Sequence, residues 1–190
     1  MKNLTTKKLT IIGLLTALTI ILGLTPLGFI PLGVTKITTM AIPTIIGAII
    51  GGPLVGGFVG LVFGFLSIFQ SITSPTILSF MFYNPLVSVL PRVLIGVVSG
   101  YLYKLLNKLK LNDLIACGIT GAVGSIVNTV GVLGMAYIFF ADKISSVSSG
   151  LNASTVLIGI AAANAPFEII ANTILVGLIG MALLKSRRKI

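Results

Sequence analysis

The sequence predicts an all-α integral membrane protein: one bundle of six transmembrane helices filling residues 1–190, with the N- and C-termini cytoplasmic. Three observations predict it. The 190-residue chain is 56% apolar and 8% charged, more apolar side chain than a soluble core of this size can hide but ordinary for a bilayer. Six apolar stretches are separated by Pro/Gly-rich or charged breaks. Ten of the thirteen basic residues sit at Met1–Lys8, Lys104–Lys110 and Lys185–Lys189, where spans would end on the cytoplasmic side. The formal charge of +10 is therefore a positive-inside signature, whereas a nucleic-acid binder would carry a continuous basic face.

Leu9–Leu24 is the first helix. Its basic start followed by an apolar run could mimic a signal peptide, but no small-x-small cleavage site follows. Thr25–Thr39, TPLGFIPLGVTKITT, holds prolines and glycines that forbid a regular helix, so it reads as an external loop folding back over the bundle. Met40–Ile50 is a second helix that at 1.5 Å per residue reaches only about 16 Å. It must borrow loop residues or sit short against its neighbours. Gly51-Gly52-Pro53 is a tight uncharged turn. Leu54–Gln70 is the third helix, where Gly56, Gly57, Gly60 and Gly64 make a small-residue ridge for close helix approach.

Ser71–Tyr83 is a second external loop. The fourth helix, Asn84 to about Tyr103, carries Arg92 directly after Pro91, at a depth where a charge costs about 2.5–3.5 kcal/mol on insertion scales. Asn84, Ser88, Arg92 and Gly96 recur every four residues and share one helical face. Lys104–Asn112 is the basic connector. The fifth helix, Asp113–Phe140, has Gly118, Gly121, Gly124 and Asn128. Ala141–Ala153 is external, and the sixth helix, Ser154 to about Leu184, carries Asn164, Glu168 and Asn172 on one face. No internal repeat is evident, which argues against a self-sufficient inverted-repeat transporter.

By helical rise, Arg92 and Asn164 lie about 12 Å, and Glu168 and Asn128 about 18 Å, from the outer ends of their helices. Three helices thus bring polar groups to similar depth, and a pocket open to the outside satisfies them. The alternative is an Arg92–Glu168 ion pair joining two helices; Asn128 could equally bond a neighbouring helix. Lys36 sits in the first external loop, over the pocket mouth or simply solvated. Two cations, Arg92 and Lys36, against one buried acid favour a carboxylate-bearing solute, because guanidinium grips carboxylate bidentately. With no tryptophan and 7% aromatic residues there is little to sandwich a flat ring, and Phe29, Phe80, Phe82 and Tyr83 default to anchoring or packing. Enzymatic chemistry is excluded on donor sets: there is no histidine and only one intramembrane acid, so no nucleophile–base pair, acid pair or metal site can be assembled. Cys117 is alone, so no disulfide framework exists. No cofactor is called for, and with no P-loop any ATP use belongs to another subunit.

LTTKKLTIIGLLTAL at the start, TPLGFIPLG in the first external loop, TTMAIPTIIGAIIGGP and NPLVSVLPRVLIG resemble the S components of energy-coupling-factor vitamin transporters. The likeness covers essentially the whole chain and is greatest to the pantothenate-specific group. It implies a substrate-binding subunit in the bacterial cell membrane that captures a vitamin and assembles with a transmembrane coupling subunit and two cytoplasmic ATPases. The family's Ala-x-x-x-Ala patch on the first helix corresponds here to Gly13 and Ala17, the small-residue spacing being kept. The resemblance also implies that the first external loop closes over substrate, bringing Lys36, Thr38 and Thr39 near it. On this reading Arg92 binds a carboxylate, Asn128, Asn164 and Asn172 bond amide and hydroxyl groups, Glu168 orients Arg92 or accepts a hydroxyl, and Asn84 lies on the same stripe. The rivals are an S component for riboflavin, a pyridoxine-type vitamin or folate, a non-transport membrane scaffold, and a proton-coupled carrier using Glu168.

Overall fold

In the computed structural model, which describes residues 6–25, 28–32, 35–148 and 150–187, the chain forms helices joined by one small β-hairpin. The elements are α1 (Thr6–Leu24), strands β1 (Phe29–Leu32) and β2 (Thr35–Thr38), α2 (Ala41–Gly51), α3 (Pro53–Thr73), a 3-10 turn (Ser79–Tyr83), the single turn α4 (Pro85–Ser88), α5 (Leu90–Lys108), α6 (Asp113–Val147) and α7 (Ala153–Arg187). Counting α4 and α5 as one interrupted rod, the described residues form six helices. Four are long and apolar enough to cross a membrane: α3, the α4–α5 rod, α6 and α7. The other two, α1 and α2, are shorter apolar helices.

The shortness of α2 has a packing answer. It contacts α1, α3, α5, α6 and α7, and every residue from Pro43 to Ile49 is buried. Eleven residues suffice because neighbouring helices, rather than lipid, surround it. It borrows nothing from the preceding loop, which instead folds as an antiparallel hairpin pairing Phe29 with Thr38 and Leu32 with Thr35. Strand β2 packs on α7, so the loop does fold back onto the bundle.

The glycine ridge of α3 lies along α5. A Cβ on Gly96 would strike the Gly56 backbone, and one on Gly60 would strike the Arg92 carbonyl. This contact draws the backbone that carries Arg92 directly onto α3. The most extensively packed pair of elements, α6 and α7, uses the same device: a Cβ on Gly121 would stand 2.5 Å from the Asn172 carbonyl oxygen. Away from these seams, Leu14, Ile21, Phe58, Phe65, Ile158 and many other large apolar residues are exposed, as a lipid-facing surface requires.

Several boundaries shift from the sequence expectation. The fifth helix bends at Phe140, whose φ of −136° is non-helical, and then continues to Val147. The fourth is interrupted near Val89, just ahead of Pro91, and extends to Lys108, leaving only Leu109–Asn112 as the connector.

Candidate functional site

Proline creates the position that Arg92 fills. Pro91 has no N–H to give to the carbonyl four residues earlier, Val87 O. Arg92 supplies the missing donor: its Nη1 donates to Val87 O at 2.9 Å, and its Nη2 donates to Ser67 Oγ on α3 at 3.3 Å. The guanidinium lies between two rings, 5.4 Å from the centroid of Phe63 and 5.5 Å from that of Phe82. Cation–π attraction strengthens when the cation is desolvated, and Arg92 is only 6% exposed. Its Nε, equally buried, has no hydrogen-bond partner.

Glu168 is held differently. Its Oε1 accepts the backbone N–H of Thr38 at 3.0 Å, latching the hairpin to α7, and the Asn128 side chain also bonds its carboxylate. Behind it, Asn172 Nδ2 donates to Ser125 Oγ at 2.6 Å, tying α7 to α6. Arg92 and Glu168 attract one another electrostatically, but both guanidinium hydrogen bonds go to neutral partners. Their hydrogen bonds thus go to other partners, and the attraction between them acts without a direct hydrogen bond among those described.

The residues brought together are Arg92, Asn128, Glu168 and Thr38, with Asn172 behind them. Contrary to the outward-open pocket expected from the sequence, they are enclosed: Arg92, Asn128 and Glu168 are each 6% exposed. The hairpin, latched by Thr38, lies against Glu168 on α7, while Phe63, Phe82 and Ser67 enclose Arg92. Asn164 lies one helical turn from Glu168 toward the hairpin end, with a buried Oδ1 lacking a partner, and Asn128 Oδ1 is likewise unpartnered. Thr39 accepts from the Ile42 N–H at 3.1 Å through its carbonyl, at the start of α2. Lys36 pairs with Pro31 across the hairpin, and its side chain lies outside the described residues.

The four-residue stripe on the fourth helix divides. Asn84 caps α4, its Oδ1 accepting from Leu86 N at 2.9 Å. Ser88 Oγ donates to Phe82 O at 2.6 Å, and Gly96 is a packing contact. Only Arg92 of the four reaches the polar cluster. Sequence reasoning missed Ser67 and Phe63, whose signal was their shared face with Gly60 and Gly64 on α3. It also missed Gln70, one turn beyond Ser67, whose buried Oε1 has no partner. On α1, Gly13 and Ala17 are both exposed, and a Cβ on Gly13 would meet nothing within 4 Å.

This arrangement can bind rather than react. Among the described residues, the cluster offers Arg92 Nε as a buried donor and Asn128 Oδ1 as a buried acceptor without partners, and Asn164 Oδ1 on α7 and Gln70 Oε1 on α3 are likewise buried and unpartnered. Among known families, the one described as "ECF transporter, substrate-specific component" matches residues 7–183. The chain is 34% identical to a pantothenate transporter, PanT, of Leuconostoc mesenteroides, over 96% of this chain and 95% of that protein. It is 29% identical to a pantothenic acid transporter, PanT, of Lactococcus lactis, over 80% of each.

Proposed function

This chain belongs to the substrate-specific components of ECF transporters, and on that premise we propose that it captures pantothenate. It is a multi-pass subunit of a cell-membrane transporter and not an enzyme. The observation that carries the choice of ligand is the mismatch inside the cluster. A buried guanidinium bonded only to neutral groups retains an unused N–H, and buried amide oxygens nearby lack donors. A buried polar atom left unpaired costs about 1–3 kcal/mol, so a ligand that pairs several gains affinity and selectivity together. Pantothenate carries a carboxylate for Arg92, and hydroxyls and an amide N–H for Asn128 and Asn164. The curated relatives named above support the same ligand.

In this reading Glu168 holds the hairpin shut through Thr38, Asn172 braces α7 on α6, and Thr39 and Lys36 belong to the cover. The whole chain acts as one membrane domain with both termini cytoplasmic. Gly13 and Ala17 face outward from the bundle to receive a coupling subunit, and two cytoplasmic ATPases supply the energy. Calorimetric titration of the purified protein with pantothenate and with a panel of other vitamins tests the ligand. Saturable pantothenate binding, lost in Arg92→Ala, is expected; binding of another vitamin without pantothenate competition overturns the assignment.

The two hydrogen bonds of Arg92 favour a second reading, in which the guanidinium only clamps α3 to α5. That reading predicts no ligand-dependent rise in unfolding temperature with any vitamin.

A further inference from the structure

At the end of the bundle opposite the hairpin, a cleft of about 350 Å³ opens between α1, the α2–α3 turn and α5. Its lining includes Lys8, Gly52, Pro53, Tyr103, Lys104 and Asn107, and no acidic residue. Two lysines from different helices thus converge on one concavity. Lys104 leans over the turn: a Cβ on Gly52 would lie 4.0 Å from Lys104 Cε, and the ammonium sits 5.7 Å from the centre of the exposed Tyr101 ring. The α2–α3 turn can sit this deep because Gly100 of α5 accepts the Pro53 backbone against its bare Cα. Leu54, which also lines the cleft, is exposed beside it and gives the concavity an apolar flank.

We propose that this cleft binds the phosphate headgroup of an anionic membrane lipid, with Lys8 and Lys104 as its ligands, Asn107 as a polar neighbour and the acyl chains along Leu54 and Tyr101. Three observations carry the choice of occupant. The lining has cations without a counter-charge, which selects an anion. The concavity is of small-ligand size, which exceeds what a solvated surface lysine needs. Its rim joins an apolar exposed surface, which a free phosphate does not use. Basic pockets between membrane helices recognise lipid headgroups in this way. The site lies at the opposite end of α2 from the Arg92 cluster, so occupancy there is independent of the substrate proposal.

The test is retention of phosphatidylglycerol through purification, read by native mass spectrometry, and the thermal shift on adding phosphatidylglycerol against phosphatidylcholine. The double variant Lys8→Gln/Lys104→Gln is compared with Lys110→Gln/Lys185→Gln, which removes the same charge from the same end outside this lining. The cleft pair should lose roughly thirtyfold in phosphatidylglycerol retention, since each lysine near an anionic surface contributes about a fivefold factor. The control pair should lose little. Equal loss in both pairs means diffuse surface attraction and overturns the proposal. So does an equal thermal shift from inorganic phosphate, which assigns the cleft to the free anion. Unchanged lipid retention in the cleft pair, together with failed assembly with the energizing subunits, makes the cleft a protein contact and also overturns it.

Discussion

The Pro91–Arg92 pair makes a quantitative prediction by itself. Replacing Arg92 with Ala strips Val87 O of its donor, and Pro91 cannot provide another. A buried carbonyl left unsatisfied costs about 1–3 kcal/mol, and in lipid no water relieves it. Replacing Pro91 with Ala restores an N–H at the position from which a continuous helix would bond Val87 O. It also keeps the Cβ that would meet a Cβ on Gly131 at 2.9 Å. In the Pro91→Ala background, therefore, Arg92→Ala should cost less than it does alone. The coupling in a double-mutant cycle should be about 1–3 kcal/mol, a factor of roughly 5 to 150 in the unfolding equilibrium. The assay is denaturant unfolding of the four proteins in identical micelles without ligand. Loss of the Ser67 bond and the two ring contacts falls equally on both backgrounds and cancels. Additive effects, with coupling below about 0.5 kcal/mol, would refute the claim that the arginine replaces the proline's missing donor.

Gly96→Ala should destabilise by about 1–3 kcal/mol, because its new Cβ meets the Gly56 backbone rather than a movable side chain; detergent unfolding measures it. Glu168→Ala should release the hairpin: a hydrogen bond to a charged acceptor contributes about 1.5–3 kcal/mol, so the Thr38 amide should exchange with deuterium roughly ten- to a hundredfold faster. Unchanged exchange would show that strand packing on α7, rather than the carboxylate, holds the cover. Gly13→Leu should leave the unfolding temperature within a degree or so, because open space surrounds that position, while abolishing co-purification with the energizing subunits.

Much of this architecture is written in one dimension. Long apolar runs, breaks rich in proline and glycine, and lysines clustered at the ends give the helix order and the α3 ridge, since bilayer thickness and small-residue packing act on local composition. Arg92, Asn128 and Glu168 were legible as a group because a buried charge or amide has few permissible settings. Their partners were not. Which carbonyl Arg92 serves, that Ser67 and Phe63 flank it, and that Asn84 caps a helix all depend on how α3 lies on α5.

What the chain determined alone is its solvent and its elements: an apolar sequence with basic ends belongs in a membrane, and Pro91 must orphan the carbonyl of Val87 wherever that helix lies. What only the tertiary structure decided is the use made of them. An 11-residue α2 is stable because five helices enclose it, and a loop without helical character becomes a hairpin latched by Thr38 to Glu168, 130 residues away. Burial and long-range hydrogen bonds belong to pairs of segments, and no single stretch of sequence encodes its distant partner.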